Sequence, residues 1–288
     1  MKFTQRLAIA YVQTKFKLIS LVSKKKAAKN AFVVFGTPFM KSVRKAPVRH
    51  AEVIHFHINH KKINGYRWNH PPTGPCGQSR KVLILHGFGS AAHKFEDYAI
   101  QLIDKDFEVL AFDAPAHGLS EGNTTNAVEY SEMIKEVMEK FGPIAYFIAH
   151  SFGGISLSLA LEQVKHSAGT KLVFIAPATE TTSAVDGAFK MLKLTNATVR
   201  NEFDKLIFEY SGRQTEWFSM RRAMHHINAT VLWIHDEDDD VTPWADALKV
   251  KEDNHPNIKF LLTKGLGHRK IYRDPAIQNK VVEFLAKG

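Results

Sequence analysis

From residue 53 onward, short apolar runs alternate with segments of helical spacing, which predicts parallel βαβ units with helices on both faces of one sheet. The runs 53–58 and 63–68, separated by residues 59–62, read as a β-hairpin, and a Pro/Gly-rich loop follows over 71–77. Strands are expected at 82–85, 108–112, 145–148 and 171–175, with helices near 91–103, 127–141 and after Ser151. Between 178 and 228 the alternation stops. Phe189, Leu192 and Leu194, then Phe203, Leu206, Ile207 and Tyr210, then Trp217, Met220 and Met224 take helical spacing, which reads as an inserted helical cap over 178–227. Strands resume at 231–234 and 258–262, and a helix over 275–285 closes the chain. The body is thus read as 51–177 with 228–288, a mostly parallel α/β core, with no internal repeat.

Residues 1–50 follow a different pattern. Phe3, Leu7, Tyr11, Thr14, Leu18 and Leu21 recur at steps of three and four, Lys15, Lys17 and Lys24 to Lys26 add charge, and the segment reads as a basic amphipathic helical extension. Ile9, Val12, Phe16 and Ile19 widen its apolar surface. Two placements follow: docking on the α/β core through the apolar stripe, or peripheral contact of residues 1–29 with an anionic membrane surface. Nucleic acid is not an expected partner, because no recognition module or aromatic platform accompanies the charge.

Composition sharpens this division. The formal charge is +10, yet residues 1–50 contain twelve Lys or Arg and no acid, leaving 27 basic and 29 acidic residues in the remainder. The body is therefore nearly neutral. With 44% apolar and 24% charged residues in 288, the chain can bury a full core and is not disordered. No run approaches the roughly 18 to 20 apolar residues of a membrane span, and no secretory signal is expected. The one cysteine, Cys76, excludes an internal disulfide and fits a reducing, cytoplasmic location.

The sharpest chemical signal is Ala149-His150-Ser151-Phe152-Gly153-Gly154, between a strand pattern and a helical one. A serine at such a turn stands proud of the sheet, small residues flank it, and the helix N-terminus turns the Phe152 N–H toward a developing oxyanion. Leu85-His86-Gly87-Phe88-Gly89 ends another strand and suits a second donor, the Phe88 N–H. His235-Asp236-Glu237-Asp238-Asp239-Asp240 offers carboxylates after the strand at 231, and Gly265-Leu266-Gly267-His268 offers an imidazole after the strand at 258. Serine needs a base, and that base needs an acid to fix its tautomer. On spacing alone, four other acids compete with Asp239.

Residues 81–288 resemble the α/β-hydrolase superfamily, nearest to bacterial esterase- and lysophospholipase-like hydrolases that carry the segment seen here as Asp113-Ala114-Pro115-Ala116-His117-Gly118 with Ser120. The resemblance implies Ser151 as nucleophile, His268 as base, Asp239 as acid, the Phe88 and Phe152 amides as oxyanion hole, and a structural role for the His117 loop. Ala149 departs from the usual glycine, as does Asp236. The implied activity is cleavage of a carboxylic ester or thioester with an apolar acyl group, requiring no cofactor and no metal. Carbon–carbon bond hydrolysis or acyl transfer by the same triad, or ligand binding by an idle one, are the alternatives. The histidines His55, His57, His60 and His70 are read as a solvated hairpin, and His225 with His226 as an exposed helix end.

Overall fold

The fold is a computed structural model that describes residues 3–39, 41–44, 46–68 and 80–287, with residues 3–11 as backbone alone. The loop 71–77, with Cys76, and also His70 lie outside the described residues. The chain divides into two compact units, one of residues 38–179 with 220–288 and one of residues up to 37 with 180–219.

The larger unit is built on eight strands: β1 (Glu52–Ile58), β2 (Lys61–Trp68), β3 (Arg80–Leu85), β4 (Phe107–Phe112), β5 (Tyr146–His150), β6 (Lys171–Ile175), β7 (Thr230–Asp236) and β8 (Ile258–Thr263). They lie in the order β1-β2-β4-β3-β5-β6-β7-β8. β2 pairs antiparallel with β1 and β4, and every other pairing is parallel. All six residues of β4 are buried, as expected of a parallel strand covered on both faces. β1, at the edge, turns Phe56 inward and leaves His55 and His57 exposed. The hairpin turn is tighter than the spacing suggested. Asn59 and His60 both take positive φ (48° and 63°), the geometry of a two-residue turn whose twist matches its strands, so β2 already begins at Lys61.

Helices α3 (Glu96–Ile103), α4 (Ala127–Phe141), α5 (Phe152–Leu161), α9 (Trp244–Glu252) and α11 (Pro275–Ala286) belong to this unit. Local chemistry starts two of them: Asn126 accepts from Glu129 N at 2.9 Å ahead of α4, and Asp274 caps α11 just before Pro275. α5 is buried from Gly153 to Leu161, so its sequence is apolar nearly all round. Residues 38–50 were expected to continue the helical leader. The described residues among them are instead irregular and tied to the sheet unit, with Arg44 and Arg49 on Glu96 at 2.5 and 3.1 Å and the Trp68 indole donating to Arg49 O at 2.9 Å.

The insertion does fall between β6 and β7, but its far boundary differs from 178–227. α8 (Met220–Met224) belongs to the sheet unit, where Arg222 grips Glu162, just past α5, with two bonds of 2.5 and 2.6 Å. The helical unit comprises α1 (Phe3–Val22), α2 (Lys24–Gly36), α6 (Thr181–Leu192) and α7 (Ala197–Ser211). Ser23 interrupts the leader and caps α2, so one expected helix is two. The surface on which the leader docks is the insertion: Phe32 and Phe35 lie 5.7 and 5.8 Å from the Phe203 ring, which meets Phe189 at 5.2 Å. Only part of the expected apolar surface is covered, with Val12 and Ile19 half-buried. Phe16 is buried, whereas Thr14, Leu18 and Leu21, the described part of the apolar stripe beyond Tyr11, are exposed.

Candidate active site

β5 delivers Ser151 between two parallel neighbours, with Ala149 opposite Leu85 of β3 and His150 opposite Ile175 of β6. At Ser151 the backbone swings to φ 53°, ψ −118° and enters α5. Ser151 N donates to Ile175 O at 3.1 Å, while its carbonyl accepts from Gly154 N at 2.9 Å and Ala178 N at 3.0 Å. Two glycines permit this closeness: a Cβ on Gly153 would lie 2.7 Å from Leu85 O, and one on Gly154 would lie 2.6 Å from Pro177 Cβ. Ala149 keeps its methyl in the buried ladder, which explains why this position accepts alanine.

The loop after β3 crosses close to the serine. A Cβ on Gly87 would stand 2.9 Å from Ser151 Cβ, so only glycine fits there. Phe88 follows, 41% exposed, with its ring edge-on to Phe152 at 5.5 Å and to His117 at 5.2 Å. His117 explains how this loop is held. Its Nε2 accepts from Gly89 N at 2.9 Å, its Nδ1 therefore donates to Pro115 O at 3.0 Å, and burial lowers its pKa to about 4. His86 does the same one strand end away: Nε2 accepts from Ala114 N at 2.9 Å, Nδ1 donates to Gly87 O at 2.8 Å, and burial holds it well below its usual range. Asp113 completes the loop by accepting from Ala92 N and Leu119 N, and burial raises its carboxyl to about 6.

β7 and β8 bring the candidate acid and the candidate base together. His268 sits at the start of α10 (Gly267–Lys270), after Gly265 and Gly267, which both take positive φ (86° and 59°). Its Nδ1 lies 2.8 Å from Asp239 Oδ2, with both side chains buried. Of the five acids that competed on spacing, Asp239 is thus the one on the imidazole. Its Oδ1 accepts from the Val241 and Thr242 amides, each at 2.8 Å, and Thr242 Oγ1 donates to Oδ2 at 2.8 Å. Burial alone would push this carboxyl up, but His268 and these amides hold it below the ordinary aspartate range. Asp236 has a different task. Its Oδ2 accepts from Thr263 Oγ1 at 2.7 Å and Leu266 N at 3.0 Å, binding the acid loop to the histidine loop. These bonds overcome its burial and lower its pKa.

The imidazole also packs against the serine turn. The His150 ring lies 4.8 Å from the His268 ring and 4.5 Å from Tyr272, and His150 Nε2 donates to His268 O at 3.2 Å. Burial lowers the His150 pKa to about 3, so the ring next to Ser151 is neutral. Sequence reasoning misses Thr242 and His150 as supports, while it reads Asp236 as closing its turn. A sequence clue existed for His150 alone, as the residue before the candidate nucleophile.

Among the described residues one group gathers metal-ligating atoms within 4.8 Å of one another, namely His225, Asp253 and His255. Arg221 holds both Asp253 oxygens at 2.7 Å, and its positive charge opposes a cation there. The pair Arg221-Arg222 is thus occupied by ion pairs with Asp253 and Glu162. His55, His57 and His60 are exposed on the hairpin.

Comparison with known proteins agrees with this architecture. The family model described as serine aminopeptidase, S33, matches residues 78–213. The chain is 26% identical over 232 residues to a lysophosphatidylserine lipase, ABHD12, of Danio rerio, covering 72% of this chain and 59% of that protein. It is 25% identical over 193 residues to the esterase YjfP of Escherichia coli (strain K12), covering 62% of this chain and 74% of that one. The solved structure of the Pyrococcus furiosus esterase Pf2001 superposes with a TM-score of 0.62 at 20% identity, over 85% of this chain and 96% of that one. Strand order, the serine turn between β5 and α5, and these likenesses give the chain the α/β-hydrolase fold.

Proposed function

We propose that the protein is a serine hydrolase that cleaves a carboxylic ester or thioester through an acyl-enzyme on Ser151. The observation that supports this reading most is the buried 2.8 Å contact between His268 Nδ1 and Asp239 Oδ2, made by side chains from two different strand ends, with the imidazole packed beside the serine turn. Because Nδ1 donates to Asp239, Nε2 is left unprotonated and accepts the Ser151 hydroxyl proton as Oγ attacks the acyl carbonyl. The Phe88 and Phe152 amides then hold the oxyanion, each donor contributing roughly 2.7 to 4 kcal/mol, or about 10² to 10³ in rate. His268 passes its proton to the leaving alcohol or thiol, and water, activated by the same ring, releases the acid. Neither metal nor organic cofactor is needed for these steps.

The Phe88 and Phe152 rings beside the nucleophile favour an apolar acyl group, in keeping with relatives named as lipase and esterase. A fluorophosphonate probe tests the reading. Covalent labelling at Ser151, absent in Ser151→Ala and slowed in His268→Ala, is the expected result. No labelling of correctly folded wild-type protein would overturn it.

A further inference from the structure

The last two turns of α1 present three large aliphatic side chains to solvent: Leu18 is 60% exposed, Leu21 71% and Val22 88%. They stand at i, i+3 and i+4, so they form one patch on the helix surface. Docking does not need them. Phe16 is buried and Val12 and Ile19 are partly buried on the same helix, and α2 supplies Phe32 and Phe35 to the insertion. Lys15 and Lys17 stand exposed one turn before the patch, and Lys25 and Lys26 are exposed just after it. Lys24 reaches back to Ser20 O, closing α1 with a positive charge at its C-terminal end. No acidic residue occurs anywhere in the first 50 residues. Glu202 of α7 faces Lys25 and offsets its charge, which leaves Lys15, Lys17 and Lys26 beside the exposed apolar patch, and such a patch is matched by a surface that offers hydrocarbon beneath anionic groups.

We propose that this end of α1 is a docking surface for an anionic lipid interface, with Leu18, Leu21 and Val22 entering the apolar boundary and the flanking lysines facing lipid phosphates. No helix among the described residues is long and apolar enough to cross a membrane, so the contact is one of lying on the surface. The attachment is independent of the hydrolytic reading, because it uses none of that machinery, and Ser151→Ala protein binds as wild type does.

Vesicle flotation with full-length protein tests it, comparing pure phosphatidylcholine with the same lipid containing about one-third phosphatidylglycerol. The expected result is partition into the anionic vesicles only, falling steeply as salt rises from about 0.1 to about 1 M. Lys15→Gln with Lys17→Gln weakens partition about fivefold per lysine. Leu21→Ser with Val22→Ser, both solvent-exposed, lowers it about tenfold or more while leaving the melting temperature unchanged. Equal partition into both vesicle types, no partition into either, or variants that bind like wild type would each overturn the proposal. So would sedimentation showing a dimer that the Leu21 and Val22 changes dissociate, since the patch would then be the contact with a second copy of this chain.

Discussion

Replacing Asp239 by asparagine isolates one proton. Oδ1 accepts two amide hydrogens, from Val241 and Thr242, so the new carbonyl oxygen keeps that position and the NH2 group takes the place of Oδ2. There it meets Thr242 Oγ1 and His268 Nδ1, both 2.8 Å from the oxygen it replaces. Thr242 can turn its hydroxyl to Ala176 O, 3.2 Å away, and accept from the amide. The remaining amide hydrogen then forces Nδ1 to be an acceptor. The imidazole proton moves to Nε2, and the nitrogen that should receive the Ser151 proton is already protonated. Every polar group stays satisfied, so the fold persists while the chemistry stops. The expected loss is about 10⁴ in kcat, or about 5 kcal/mol of transition-state stabilisation. Initial rates on a p-nitrophenyl ester, set beside a thermal melt, measure it. A melt within a few degrees of wild type with less than about a tenfold fall in kcat would refute the argument that Asp239 sets the tautomer.

Other expectations follow from the same geometry. Gly87→Ala places a methyl against Ser151 Cβ and His150 Nδ1, both at 2.9 Å, and is expected to lower kcat at least about 10²-fold, read by ester hydrolysis and probe labelling. Ala149→Gly removes a buried methyl from β5, so it costs about 1 kcal/mol in denaturant unfolding and leaves kcat within about threefold; a large gain in rate would show that the methyl distorts the turn. Acid is expected to destabilise the fold early. His86, His117 and His150 have pKa values below 6.5 in the folded state, so the unfolded chain takes up their protons first, and their contribution, full above about 6.5, is lost as pH falls toward 4. Asp113, raised to about 6, works in the opposite sense over about pH 4 to 6, since its contribution is lost as pH rises. The histidines outnumber Asp113, so the net effect is destabilisation on acidification, and a melting temperature that is flat between about pH 6.5 and 5 would contradict it.

The strands and the serine and histidine turns were legible because each leaves a local trace, an apolar run bounded by glycines. Spacing alone did not single out the acid, which only the resemblance assigned to Asp239, since Asp236 and Asp239 differ only in what faces them across 27 to 30 residues of chain: the Thr263–Leu266 turn for one, the His268 ring for the other. Thr242 is a common loop residue whose value lies in reaching Asp239, His268 and Ala176 at once. The leader misled for a related reason. Periodicity identifies a broad apolar surface but not its partner, and of that surface Phe16 is buried while Leu18 and Leu21 are exposed. Boundaries at 37 and 219 were hidden because residues 38–50 and 220–227 differ little in composition from the segments beside them, and ion pairs to Glu96 and Glu162 decide where they go.

The backbone of Ser151, at φ 53° and ψ −118°, is comfortable only for glycine, and holding a serine there costs about 1 to 3 kcal/mol. Ser151→Gly is therefore expected to melt higher than wild type while losing the hydroxyl entirely. Any selection that rewards thermal robustness alone would find its simplest gain at the proposed nucleophile, so screens for hardier variants of this chain should require turnover at every round.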